Sequence, residues 1–188
     1  MTRRTRLLVA ASAGIVLATA VVLRAEGRIL WCACGALVPW AWDIWSRHNS
    51  QHLIDPYSPT HVLHGIGFYA ILWAATRWWI PRDGRAVLAI LLESGWEILE
   101  NSEMVIRRYR EATISLGYEG DSILNSISDI GMCALGFLIA SRLPWKWTAG
   151  IFVLTEIVLL VWIRDSLIVN IVMLVFPIEA LQRWQMAR

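Results

Sequence analysis

Acids and amides recur at helical spacing inside segments that are otherwise apolar enough for a membrane. Glu93, Glu97, Glu100 and Asn101 lie in ESGWEILENSE (93–103), and Asp121, Asn125 and Asp129 lie in GDSILNSISD (120–129). Steps of three and four residues bring side chains back to one side of a helix, so each set is expected to form a stripe. An ionisable group at mid-bilayer costs about 2.5–3.5 kcal/mol on insertion scales, so two such stripes should face each other or a wet cavity. Paired carboxylates can share a proton with one pKa raised, as general acid–base chemistry requires. Glu97, Asp121, Asn125 and Asp129 are therefore the catalytic candidates, with Asp121 or Glu97 as acid or base. Glu93, Glu100, Asn101 and Arg164 are the binding candidates. For Glu100 and Glu103 the alternative is ion pairing with Arg107, Arg108, Arg110 or Arg164 at the outer rim.

His61 and His64 (HVLH) lie one turn apart, a spacing that lets two imidazoles converge on one cation, and His52 and Asp55 stand just upstream in SQHLID. These three histidines, joined by Cys32 and Cys34, supply enough borderline and soft ligands for zinc or copper. The alternative is interfacial histidines hydrogen-bonded to nearby carboxylates, since HxxH lacks the discriminating power of HExxH. Cys32 and Cys34, one residue apart, are poorly spaced for an ordinary mutual disulfide. Metal ligation, a redox disulfide and free thiols are the alternatives there. Cys133, within an apolar run, reads as a small buried hydrophobe. Ser122 and Ser126 read as helix-packing residues rather than nucleophiles. Gly65, Gly67, Gly131 and Gly136 read as points of close helix approach. No GxSxG, HExxH or phosphate loop occurs.

The elements that must carry these residues are membrane elements. A 57% hydrophobic content with twelve tryptophans in 188 residues favours a single integral domain over a soluble one with an accessory span. A net charge of +2 is too small for a nucleic-acid footprint, and the basic residues cluster at the ends of apolar runs. Three arginines followed by the run 7–23 predict an N-terminal signal anchor over 1–23. Residues 24–60, with Pro39, Asp43 and four tryptophans, predict an extracytoplasmic interfacial or re-entrant segment. Residues 61–188 then form a helix bundle around the polar site. Further spans are expected at about 64–80, 86–101, 121–140 and 147–163, with a weaker, interrupted element at 167–181. The charged stretch 103–120 reads as a connection. The expectation is thus an all-α, polytopic bundle of five or six transmembrane helices.

With the N-terminus in the cytoplasm, ten of the seventeen basic residues fall in internal loops and ends, the sign that the positive-inside rule requires. The acidic site then opens on the extracytoplasmic side.

The stretches SQHLIDPYSPTHVLHGIGFY, ESGWEILENSE and YEGDSILNSISDIGMCALG, with IRDSLIVNIVML near the end, together resemble a family of bacterial multi-pass inner-membrane proteins of unknown function. The resemblance covers about residues 26–185 and implies a location without an activity. A more distant similarity is to VanZ-like membrane proteins, associated with glycopeptide resistance. Their histidine, glutamate and Asp-x-x-x-Asn step match His61 or His64, Glu97, and Asp121 with Asn125. The Asp-Lys that often precedes that histidine is absent here.

The functional expectation is an outward-facing acidic and histidine-containing site that binds, and in one version processes, an envelope amphiphile or its headgroup, a lipid-linked ligand included. Two alternatives stand beside it: a non-enzymatic metal-binding or metal-transfer protein, and a structural or assembly subunit.

Overall fold

The computed structural model describes residues 2–115 and 117–187, and these form eight α-helices with no strand beyond one isolated bridge between Trp40 and Ile54. In chain order the helices are α1 (Arg3–Ala25), α2 (Ser58–Thr76), α3 (Arg82–Glu100), α4 (Glu103–Ala112), α5 (Ile123–Arg142), α6 (Trp145–Ile163), α7 (Leu167–Val175) and α8 (Glu179–Met186). Leu116, inside the expected charged connection, and Arg188, among the expected internal basic residues, lie outside the described residues, as does Met1 of the expected anchor.

Three helices, α1, α5 and α6, are long and apolar enough to cross a membrane. That is fewer than the five or six spans expected from the sequence. The shortfall has a physical reason. Helices α2 and α3 are each 19 residues long, but α2 carries His61 and His64, and α3 carries Arg82, Asp83, Arg85, Glu93, Glu97 and Glu100. The functional side chains themselves dilute the apolar signal. The weak sixth element breaks at 176–178 into α7 and α8, of 9 and 8 residues, too short to span at ~1.5 Å per residue. The expected connection at 103–120 begins with a true helix, α4, whose N-cap Ser102 accepts from the Val105 N–H.

The α2–α5 pair is the tightest junction. A Cβ on Gly65 of α2 would lie 1.9 Å from the Cys133 carbonyl oxygen of α5, and one on Gly136 of α5 would lie 2.0 Å from the Val62 carbonyl oxygen of α2. The two backbones therefore touch reciprocally at glycines, the small-residue packing used where lipid supplies no hydrophobic drive. Gly67 and Gly131 face open space and play no such part. Around the junction Leu63, Ile66 and Ala140 form one apolar cluster, and Leu72, Ala89 and Phe137 another. Helix α1 packs along α3, burying Thr19 and Leu23.

Residues 26–57 form no helix, as Pro39 and Asp43 predict. Their backbone is tied instead at Ala41 and Ile54, by Ala41 N–H to Ile54 O at 3.0 Å and Ile54 N–H to Pro39 O at 2.9 Å. This excursion lies against the start of α5, where the Ser122 N–H donates to Ser50 O and the Ile123 N–H to Ile29 O, both at 2.9 Å.

At the opposite flank α6 ends on Arg164 in the left-handed region, and the chain turns at once into α7. Glu156 of α6 reaches that turn. Its two oxygens accept from the Leu167 N–H at 3.0 Å and the Ile168 N–H at 3.3 Å, while Ser166 caps the Val169 N–H. The free amides of a helix start thereby satisfy a buried carboxylate.

Candidate functional site

Two adjacent helices build the centre of the site. Glu93 of α3, fully buried, receives His61 Nδ1 at 2.6 Å and His64 Nδ1 at 3.0 Å to each carboxylate oxygen. A carboxylate only accepts, so both imidazoles carry a proton on Nδ1 and turn Nε2 away from Glu93. The HVLH spacing on α2 is what brings both rings to one acceptor, since residues three apart share a face.

Two more acids surround His61. Glu97 Oε1 is 3.4 Å from His61 Nδ1, and Asp129 Oδ2 is 3.9 Å from His61 Nε2. Glu97 lies one turn beyond Glu93, and Asp129 comes from α5 across the glycine junction. Both Glu97 oxygens, Asp129 Oδ1 and Asn125 Nδ2 are buried without a hydrogen-bond partner. Burying such groups carries a large desolvation penalty, and leaves their lone pairs and protons available for further hydrogen bonds.

Asp121 reaches the site by a different route from the one its spacing suggests. Helix α5 starts at Ile123, with Ser122 as N-cap accepting from the Asn125 N–H at 3.2 Å, so Asp121 lies on the preceding turn rather than on a helical stripe. A reciprocal clamp holds it there. Asn101 Nδ2 donates to Asp121 Oδ2 at 3.0 Å, and the Asp121 N–H donates to Asn101 Oδ1 at 2.7 Å. Gly120, at φ +90°, makes the approach feasible, because a Cβ there would lie 2.9 Å from Asn101 Oδ1. Tyr118 donates its O–H to Asp121 Oδ1 at 2.9 Å. Burial pushes the Asp121 pKa up to about 6, against the lowering effect of the Tyr118 and Asn101 hydrogen bonds.

Part of this set borders a cavity of about 270 Å³, with Glu93, Glu97 and Asn101 outside its lining. His61, His64, Glu100, Asp121, Asn125 and Asp129 form its polar wall, while Phe68, Trp96, Leu167 and Ile171 form an apolar one. Tyr57, Tyr109 and Tyr118 line it too, and among the described residues the lining includes no lysine or arginine. Asp55, also on the wall, is already occupied, accepting from the Ser50, Tyr57 and Ser58 N–H groups at 3.0, 2.7 and 3.1 Å. The arrangement can hold a cation and can move a proton through the Nε2 atoms of two carboxylate-oriented imidazoles.

Of the sequence candidates, Glu93, Glu97, Glu100, Asn101, Asp121, Asn125, Asp129, His61 and His64 converge here. Arg164 does not. Its guanidinium donates to Trp184 O at 3.1 Å and lies over the Trp184 ring, away from the cavity. The alternative of rim pairing for Glu100 and Glu103 finds no ion pair among the described residues, and Arg108 and Arg110 instead donate to Leu174 O at 2.8 Å and Tyr118 O at 2.5 Å.

The proposed histidine metal set divides. His61 and His64 stay with Glu93, whereas His52 joins Cys32, Cys34 and His48 in a separate cluster. Cys32 and Cys34 are paired in a disulfide with Cα atoms 5.2 Å apart, one of the three alternatives that their spacing left open. The Gly35 N–H donates to the Cys32 carbonyl oxygen at 3.1 Å, so both cysteines lie within one tight turn. Sequence reasoning missed His48, although its H-x-x-x-H spacing with His52 was a usable signal. It also missed Tyr109, Tyr118 and Trp96, for which the sequence offers none, since an aromatic residue near a membrane reads first as an interface anchor.

The family model described as "Protein of unknown function (DUF2585)" matches residues 23–187. A UPF0314 protein of Rhizobium meliloti (strain 1021) is 45% identical over 183 residues, 97% of this chain and 92% of the relative. One from Paracoccus denitrificans (strain Pd 1222) is 47% identical over 165 residues, covering 86% and 83%. One from Sphingopyxis alaskensis is 44% identical over 185 residues, covering 97% and 95%. None of these relatives is described as VanZ-like. No solved structure matches the chain. A match spanning the histidine pair, both acidic stripes and the cavity places this chain in the DUF2585 family.

Proposed function

We propose that the protein is a bacterial inner-membrane protein, a single domain with its N-terminus in the cytoplasm, whose cavity binds the positively charged head of an envelope amphiphile. The observation that carries this reading is a cavity wall bearing Glu100, Asp121 and Asp129, with Glu97 behind them, and no lysine or arginine. An ammonium group placed there meets unpartnered carboxylate oxygens and aromatic faces, both of which attract cations. The apolar wall of Phe68, Trp96, Leu167 and Ile171 would take the first part of the tail. Helices α2 and α3 also cross the membrane in this reading, their polar faces turned onto one another so that lipid meets only apolar side chains. His61, oriented by Glu93, would serve as general base toward the bound head, with Glu97 or Asp129 as its partner.

Native mass spectrometry of protein extracted in mild detergent should find an amine-bearing lipid retained by the wild type and lost from Glu97→Gln and from Asp129→Asn. A co-purified lipid of purely anionic head, or equal retention by both variants, overturns the assignment.

A divalent cation is the second reading, because one ligand atom each from His61, Glu97 and Asp129 lie within 4.8 Å of one another. Elemental analysis of chelator-treated and untreated protein separates it from the first: metal lost with Asp129→Asn and regained on titration supports the cation.

A further inference from the structure

Outside the acidic cavity, the non-helical excursion gathers Cys32, Cys34, His48 and His52, with one ligand atom from each lying within 4.8 Å of the others. We infer that, in its dithiol form, this cluster is a tetrahedral zinc site of two thiolates and two imidazoles.

The distances fit the ion. With Zn–S near 2.3 Å and Zn–N near 2.0–2.1 Å, sulfur and nitrogen ligands of a tetrahedral site lie about 3.6 Å apart. Cys32 Sγ is 3.3 Å from His48 Nδ1, and Cys34 Sγ is 3.7 Å from His52 Nε2. Each sulfur thus already faces one imidazole nitrogen. The orientation of His52 is set from behind, since its Nδ1 bonds the Val38 carbonyl oxygen and so points Nε2 toward Cys34. The Cys34 N–H donates to Cys32 Sγ at 3.3 Å, a contact that stabilises negative charge on that sulfur. Cys32 and His52 are buried, His48 is half-buried and Cys34 is exposed, which leaves the ion a route in.

The sulfurs are joined in this structure. Reduction by a phosphine consumes one water, forms the phosphine oxide and leaves two thiols. Zinc then displaces both thiol protons, giving a neutral S2N2 complex. The ion would pin the excursion over the acidic cavity, whose wall it shares at Asn49, Ser115 and Tyr118. The Gln51 side chain continues the tie, donating to Gly120 O at 2.7 Å, next to Asp121.

Cobalt(II) is the probe. Full-length protein in detergent, reduced with a phosphine and desalted without oxygen, should bind one equivalent with tetrahedral d–d bands and thiolate-to-cobalt charge transfer, and zinc should bleach both. His48→Ala and the double variant Cys32→Ser/Cys34→Ser should each weaken binding at least tenfold, while His64→Ala should leave it unchanged. The unmutated chain gives a second readout independent of variant folding: zinc should protect Cys32 and Cys34 from maleimide while leaving them reactive in chelator. Absence of the charge-transfer band, its survival in the double variant, its loss with His64→Ala, or no protection by zinc each overturns the site.

Discussion

Glu156 on α6 and Glu97 on α3 are both carboxylates buried on 19-residue helices, 7% and 0% exposed, yet their surroundings differ in kind. Glu156 spends both oxygens on the amides that open α7, and the neighbouring Asp165 accepts from the Ser166 N–H at 2.9 Å and the Tyr57 O–H at 3.2 Å. Glu97 has no hydrogen bond to either oxygen, and Asp129 leaves one oxygen unused. Burial of an acid in a membrane helix therefore does not by itself mark a working site, because a nearby helix start can absorb the charge completely. Unused hydrogen-bonding capacity, together with a cavity to direct it into, is the discriminating feature.

The largest effect is expected where the two regions are mechanically separable. Gly65→Ala forces a methyl into the Cys133 carbonyl, so the α2–α5 junction must open, at a cost of about 3 kcal/mol. Thermal unfolding in detergent should show that loss together with loss of ligand retention, whereas Gly131→Ala, facing open space, should stay within about 0.5 kcal/mol of wild type. Equal behaviour of the two glycine variants would mean the junction does not support the site.

Next in size is the direct exchange of the two acids. Glu156→Ala leaves two helix amides unpartnered and should cost about 1–3 kcal/mol while ligand retention persists. Glu97→Gln should show the reverse pattern, with stability unchanged or raised and retention abolished, because the amide removes an uncompensated charge. If Glu97→Gln destabilises as much as Glu156→Ala, the contrast between the regions collapses.

The smallest effect concerns pH. Burial holds both Asp121 and Asp165 protonated up to about 6, above the ordinary 3.8. The folded chain then binds these protons more tightly than the unfolded one, so stability is highest below about pH 4 and falls as pH rises toward 6. Asp121→Asn should flatten part of that decline in a melting-temperature series from pH 4 to 8, and Asp165→Asn another part. A ligand with a fixed quaternary charge should bind the wild type more tightly above pH 6, when Asp121 is ionised, and Asp121→Asn should remove that rise. A flat wild-type binding profile would detach Asp121 from the cavity's electrostatics.

Residue types and spacing alone indicated an all-helical, membrane-capable chain and the polar stripes of α3 and α5. Apolar runs, helical periodicity and the expense of buried charge are local properties that survive without coordinates. The same locality explains why five or six spans are expected and only three helices are apolar enough to cross, since hydropathy cannot tell a polar face turned inward from one turned to water, and α2 and α3 carry polar side chains. It explains the redundant reading of the histidines too. His52 lies nine residues from His61 in sequence, but the fold commits it to Cys32, Cys34 and His48, while His61 turns to Glu93.

Only the tertiary structure decided which acids are spent and which are available. Glu156 stands alone in its helix and Glu97 in a stripe of acids, yet neither pattern says what the fold brings to their oxygens: two amides of a helix eleven and twelve residues on for one, and no hydrogen bond for the other. Hydrogen-bond satisfaction is a property of three-dimensional neighbours, so it is written nowhere in the local pattern.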